Sequence, residues 1–379
     1  MSPVSSSLSF WEKQTYFAPV DILVVGAGLS GLWSAYCLKK RHPSLAVTIL
    51  ERGLIPTGAS TRNAGFACFG SLTELMHDVA TTGEDKMVQL VSMRYQGLQK
   101  IIKTFDTREI EFSLCGGYEL IASAEKVSGG LEKEITVINR LLANAIPEDK
   151  TFSTANHKIT EFGLSNVESL IENKLEGYLH PGRLCQALSK LVYAAGVNIM
   201  TGINVNGYAK TGSRIAVNTN LGYEFRTTNL LLCTNAFTPA LYTQIDVIPA
   251  RGQMLLTGEI PGLALRGAFH ADEGFYYFRN LGNRVLLGGA RNTDFAGETS
   301  TNMVTNEHIQ AALEQYLRTY IIASVPYVIT DRWSGIMAMG GEKMPIVKEI
   351  EPNVYCAVRM SGMGVALTPV VGEMVADFF

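Results

Sequence analysis

A chain of 379 residues with 47 % hydrophobic and only 18 % charged side chains carries enough apolar material for a large core. That excludes wholesale disorder and suits two domains or one large α/β enzyme. Its 32 basic and 35 acidic residues leave a net charge of −3 with no long basic run, which argues against a nucleic-acid partner.

Residues 1–20 read as a polar lead-in with aromatic insertions at Phe10, Trp11, Tyr16 and Phe17. Residues 21–26, Asp-Ile-Leu-Val-Val-Gly, form a short β-branched apolar run, the mark of a buried parallel strand. Leu29, Leu32, Trp33, Tyr36 and Cys37 then recur along one helical face, and Pro43 ends that helix. A second strand over Leu45 to Leu50 completes a βαβ unit. Helical spacing returns over 86–105, over Arg183 to Ala195 and over 305–321. Residues 107–125 and 150–180 read as mixed strands and loops, and 247–292 as strands joined by hairpins, one turning at Leu281-Gly282-Asn283. Strands are also expected at Val197–Met200, Ile203–Tyr208, Asn229–Cys233 and Val354–Val358, the last followed by a glycine turn and a closing helix to Phe379.

The six cysteines, Cys37, Cys68, Cys115, Cys185, Cys233 and Cys356, are scattered, without a Cys-x-x-Cys pair or a histidine at zinc spacing. Free thiols in a reducing compartment and no metal centre are the expectation. The N-terminus lacks a signal-peptide pattern, and the apolar runs are short or broken by glycine. A cytoplasmic protein with no transmembrane segment follows.

Two loops carry chemistry. Gly26-Ala27-Gly28-Leu29-Ser30-Gly31 is a G-x-G-x-x-G turn between a buried strand and a helix. Glu51 closes the next strand at the interval expected for a dinucleotide fingerprint. The glycines let backbone approach a pyrophosphate, the helix N-terminus offers free N–H groups, and Glu51 would accept ribose hydroxyls. The pattern does not separate NAD from FAD. The second loop does: Gly58 to Phe66 is another run of small residues right after the βαβ strand. It can lie against a flat ring, while Ser60, Arg62 and Asn63 offer hydrogen bonds to phosphates or ribityl oxygens.

With these two loops, Glu51-Arg52, Gly177…His180-Pro181, Cys233-Thr234-Asn235-Ala236, Arg251-Gly252-Gln253, Trp333-Ser334-Gly335 and Ser361-Gly362-Met363-Gly364, the chain resembles the D-amino-acid oxidase superfamily of FAD enzymes. The likeness is to the branch of glycine oxidase, sarcosine oxidase and gamma-glutamylputrescine oxidase. It implies an α/β fold, an FAD-binding Rossmann-like domain interleaved with an α+β substrate domain on a large, mostly antiparallel sheet. We place the FAD-binding domain at 1–85, 165–236 and 345–379, and the substrate domain at 86–164 and 237–344. Gly26, Gly28, Leu29, Ser30 and Gly31 would face the pyrophosphate, with Glu51 and Arg52 at the adenosine ribose and Val205 at the adenine. Thr234 and Asn235 would close the far side. Ala59, Ser60, Arg62 and Asn63 would flank the cofactor, and Ala64, Gly65 and Phe66 would run beside the flavin ring. Gly362, Met363, Gly364, Val365 and Ala366 would turn amides toward the flavin C2 carbonyl, where a helix N-terminus stabilises the negative charge of reduced flavin. No cysteine or histidine stands where relatives attach flavin covalently, so FAD is expected to be non-covalent.

The chemistry implied is oxidation of a C–N bond of a small amine or amino acid by hydride transfer to flavin N5, with imine hydrolysis and reoxidation by oxygen. A dehydrogenase using a quinone or protein acceptor, and a non-catalytic FAD-binding protein, are the alternatives. By resemblance Tyr276 matches a tyrosine that contacts substrate carboxylate in glycine oxidase. Its strand, Phe275 to Arg279, puts Phe275, Tyr277 and Arg279 on one face, so Arg279 is a further candidate. Two departures from the family stand out. Met337 occupies the place of its carboxylate-binding arginine, and Arg291 and Arg359 are cations at positions that relatives fill with smaller or apolar residues. Either could supply the relocated charge for an acidic substrate.

Overall fold

The computed structural model describes residues 8–122, 130–148, 150–323 and 325–379. Residues 1–7 of the lead-in and 123–125 of the mixed segment lie outside them. The lead-in contains a short helix, Phe10–Thr15, closed by a capping box between Ser9 and Glu12.

The chain divides into two compact units, one of Met1–Thr61, Gly182–Pro249 and Met337–Phe379, the other of Arg62–Pro181 and Ala250–Ile336. These borders differ from the expected 85/86, 164/165, 236/237 and 344/345, for reasons of packing. The helix Leu72–Thr82 packs on Glu84–Thr104 and Leu131–Leu142 in the second unit. The strand Ser169–Asn173 pairs there with Gly117–Ile121, whereas the short helix Asn235–Ala240 packs on Val354–Val358 in the first.

In the first unit an eight-stranded sheet runs in the order Ile346–Glu351, Val354–Val358, Glu224–Leu232, Val20–Val25, Val47–Glu51, Asn198–Thr201, with Arg214–Thr219 joined to Glu224–Leu232 and Val205–Thr211 joined to Arg214–Thr219. Val20–Val25 pairs in parallel on both sides, Ile22 facing Val47 and Asn229. Parallel strands are covered on both faces, which is why Ile22, Leu23 and Val24 are all fully buried. The helix Leu29–Arg41 buries Leu29, Leu32, Trp33 and Leu38, and ends where His42 donates its N–H to Leu38 O. It packs on the last helix, Gly364–Ala376. A Cβ at Gly372 would sit 2.7 Å from the Trp33 backbone, so only glycine allows this crossing.

In the second unit a mostly antiparallel eight-stranded sheet runs Ile329–Met339, Ile248–Thr257, Arg284–Gly289, Tyr276–Leu281, Ala268–Ala271, Gly117–Ile121, Ser169–Asn173, Ser153–Thr154. One face carries the core. Phe269 and Phe278 stack at 4.8 Å, with Tyr118, Leu255 and Leu287 beside Ile309 and Leu313 of the helix Glu307–Tyr316. Because side chains alternate, the other face carries Tyr277, Arg279, His270, Met254 and Leu286, most of them buried.

Candidate functional site

The Gly26–Gly31 turn is built for close backbone contact. A Cβ at Gly31 would lie 2.0 Å from the Gly26 carbonyl oxygen. Leu32 N–H makes the first intrahelical bond, to Gly28 O. Leu29 N–H donates to Ser60 Oγ at 2.9 Å, while the amides of Ser30 and Gly31 meet no acceptor among the described residues. The Ser30 hydroxyl donates to Ala357 O. Glu51 is buried; its two oxygens accept from Ala27 N and Gly53 N, each at 2.9 Å. The acid thus knits the two turns together while keeping a second lone pair on each oxygen. Nearby, Arg52 lies over the Phe237 ring at 3.8 Å, Thr234 bonds Thr238, and Val205 is buried at a strand start.

The second amide cradle is the turn before Gly364–Ala376. Leu367 N–H reaches Met363 O and Met363 N–H reaches Met360 O. The amides of Gly364, Val365 and Ala366 meet no acceptor among the described residues, and the Ser361 hydroxyl is buried without a partner. Both helices exceed one turn by far, so each N-terminus carries a positive partial charge. Met337 belongs to this turn: its sulfur is 3.6 Å from where a Cβ on Gly362 would stand. Orphaned amides and a buried hydroxyl without a partner fit an elongated, anionic cofactor.

Arg359, one candidate for a relocated cation, is engaged within the first unit. It is buried. Its Nη1 donates to Asp246 Oδ2 at 2.5 Å. Its Nε and Nη2 donate to Met344 O at 3.0 and 2.9 Å, and its own amide donates to Asn235 Oδ1. Both residues are thereby committed to holding loops of the first unit.

In the second unit, Asn63 Oδ1 accepts from Gly65 N at 2.8 Å. Arg62 donates to Ser334 O and accepts from Trp333 Nε1 through its own carbonyl. Gly65 sits at φ +75°, and a Cβ there would meet Leu179 O at 2.1 Å. Gly65 therefore serves close backbone packing. Ala64 and Phe66 emerge against Met254, Leu256, Leu286, Tyr277 and Trp333. Phe66 meets the His270 ring edge-on at 5.0 Å.

Tyr276 points to the opposite face. It stacks on Tyr316 at 4.2 Å and packs against the core, whereas its neighbour Tyr277 lies on the other face, where burial pushes its hydroxyl up to about 12. Arg279 shares Tyr277's face and is 4 % exposed. Arg291 follows the strand Arg284–Gly289 after a left-handed Ala290. Burial lowers the pKa of both guanidinium groups.

A polar cluster concealed in the sequence also lies in this unit. Cys68, Glu176 and His270 bring a sulfur, a carboxylate oxygen and a ring nitrogen within 4.8 Å of one another. They adjoin a small cavity lined by Ser71, Glu119, Asn173, Glu176 and His270. Glu176 Oε1 accepts from Phe69 N at 2.7 Å. Burial nevertheless raises Glu176 to about 8 and Glu119 to about 7, and lowers His270 to about 4.

The sequence profile of the family described as FAD dependent oxidoreductase matches residues 21–378. A probable oxidoreductase, OrdL, of Haemophilus influenzae is 24 % identical over 394 residues, covering 96 % of this chain and 83 % of that protein. The 4-methylaminobutanoate oxidase (formaldehyde-forming) of Paenarthrobacter nicotinovorans is 23 % identical over 275 residues, 71 % of this chain and 31 % of that one. Among solved structures, L-proline dehydrogenase from P. horikoshii aligns at a TM-score of 0.75 and 19 % identity, covering 95 % of this chain and 93 % of its own. Glycine oxidase from Bacillus cereus aligns at 0.73 and 17 %, covering 95 % and 94 %. The structural likenesses are likenesses of fold.

Proposed function

Because the chain belongs to the FAD-dependent oxidoreductase family, we propose that it oxidises a carbon–nitrogen bond of a small amine or amino acid. The carrying observation is the enclosed apolar cluster on the second sheet face of that unit, opposite its main core. Met254, Leu256, Leu286, Phe66 and Trp333 make it apolar around Tyr277, a surface that orients a substrate and keeps water from it rather than one that supplies a strong base. Names of relatives support the reading: an oxidase of 4-methylaminobutanoate, and a proline dehydrogenase and a glycine oxidase of the same fold.

Bound non-covalently, FAD supplies the hydride acceptor at flavin N5. The protein's residues do the rest. The amides of Ser30 and Gly31 would receive the pyrophosphate, Glu51 a ribose hydroxyl. Ala64, Gly65 and Phe66 would line the ring, and the amides of Gly364, Val365 and Ala366 would stabilise negative charge that develops on it. Tyr277 would orient the substrate. No helix among the described residues is long and apolar enough to cross a membrane. All six cysteines are free, consistent with work in a reducing cytoplasm.

The test is spectroscopic. Purified protein should show the oxidised-flavin bands, and an anaerobic screen of amines and amino acids should find one that bleaches them. Folded protein with no affinity for FAD, or flavin-loaded protein that no amine bleaches, overturns the proposal. Peroxide release under air then separates oxygen from a quinone or protein acceptor.

A further inference from the structure

Buried arginines in the second unit come in two kinds. Arg251 is paired with Glu298 at 2.6 Å and Arg94 with Glu74 at 3.2 Å. Arg279, just as buried, forms no hydrogen bond or ion pair among the described residues. Its guanidinium lies over the Tyr178 ring at 4.3 Å, and its Nε has no acceptor. Tyr178, Cys115 and Glu111 contribute only longer-range attraction. Arg291, half-buried, forms no ion pair among the described residues and feels Glu298 only as a longer-range attraction; its guanidinium lies over Phe295 at 4.8 Å and near Phe275 at 5.8 Å. Aromatic faces hold a guanidinium in place yet leave its donors unspent. A cation withdrawn from water without a counter-charge is costly, and proteins retain such a cost chiefly where a ligand relieves it.

Both unpaired arginines flank Tyr277. Arg279 is two residues along the same strand, on the same face, opposite Leu286. Arg291 follows Gly289, which stands opposite Tyr276, and its charge reaches the Tyr277 hydroxyl. At ~3.3 Å per strand residue Arg279 stands about 10 Å along the sheet from the level of Gly289, with Arg291 past that end, so the two cations bracket Tyr277 rather than crowd one point. We propose that Arg279 and Arg291 bind the two carboxylates of one substrate, so that the amine oxidised is a dicarboxylic amino compound. This rests on the amine-oxidation reading and names the substrate class of that site.

Calorimetric titration of the flavin-loaded protein tests this without turnover, using glutarate, butyrate and the neutral glutaramide. Glutarate should bind about tenfold or more tighter than butyrate, since a second charge-assisted pair is gained, and glutaramide should not bind measurably. Arg279→Met and Arg291→Met should each reduce glutarate affinity to that of butyrate. Arg279→Met should also hold or raise the melting temperature of the ligand-free protein, the opposite of a structural ion-pair residue. Should that variant fail to fold, Arg279→Lys keeps the charge but loses the planar fork, and should weaken glutarate about fivefold. Equal affinities for glutarate and butyrate, or wild-type glutarate affinity in either arginine variant, overturn the proposal. Arginine-dependent glutarate binding in a protein whose flavin no amine bleaches would instead sink the oxidation reading while leaving the diacid site standing.

Discussion

A methyl group added at residue 65 would arrive 2.1 Å from a carbonyl oxygen, on a backbone at φ +75°. Gly65→Ala should therefore cost about 2–4 kcal/mol in urea denaturation. Gly58→Ala in the same loop, with nothing within 4 Å of the new Cβ, should stay within about 0.5 kcal/mol of wild type. Equal midpoints for the two variants would show that the loop tolerates what its geometry forbids. The Gly26–Gly31 turn was legible because three glycines, a strand and Glu51 all lie close in sequence. Arg359 was not. Its partners Asp246 and Met344 come from separate segments, and no local pattern reveals a contact made only after folding. For the same reason nothing in the sequence around Arg279 reveals that it is buried with no ion-pair partner among the described residues.

Along the strand Tyr276–Leu281, alternation was plain from the sequence, but which face would meet the core was not. That choice is made by the helix Glu307–Tyr316, whose Tyr316 takes the Tyr276 ring. Neighbouring tyrosines should consequently respond in opposite ways. Tyr276→Ala should destabilise the fold by about 1–3 kcal/mol through the lost stack, with Tyr276→Phe leaving substrate KM unchanged. Tyr277→Phe should spare stability and alter steady-state kinetics. A KM shift in Tyr276→Phe comparable to that in Tyr277→Phe would contradict the facing. The helices Leu72–Thr82 and Leu131–Leu142 also went unread; each shows its apolar stripe against the other and against Glu84–Thr104, a trio whose members make sense only together.

Across the molecule, interleaving of two units was foreseeable from nucleotide-type segments at both ends and in the middle of the chain. The borders were set by strand pairing that sequence leaves unwritten. The same long-range assembly creates the Cys68–Glu176–His270 cluster, and with it a pH dependence. Glu176 and Glu119 are raised from an ordinary 4.5 to about 8 and about 7. Their contribution to stability is whole below pH 4.5 and is lost as pH climbs through those values, because the unfolded acids ionise first. His270, lowered from 6.5 to about 4, acts in the other direction: its contribution is whole above pH 6.5 and is lost as pH falls toward 4. Glu176→Gln should flatten the decline in melting temperature between pH 5 and 8, leaving the acid side unchanged. An unaltered alkaline slope in thermal melts would show that Glu176 is not buried as a neutral acid.

The contact of Gly372 with the Trp33 backbone has a bearing on how this scaffold can diversify. It is the hinge pin for the two helices whose leading turns present open N–H groups. A bulkier residue there would act as a wedge, spreading both amide nests at once while changing no ligand-facing atom. Coenzyme affinity is therefore adjustable from behind, at a position that any inventory of binding residues would overlook.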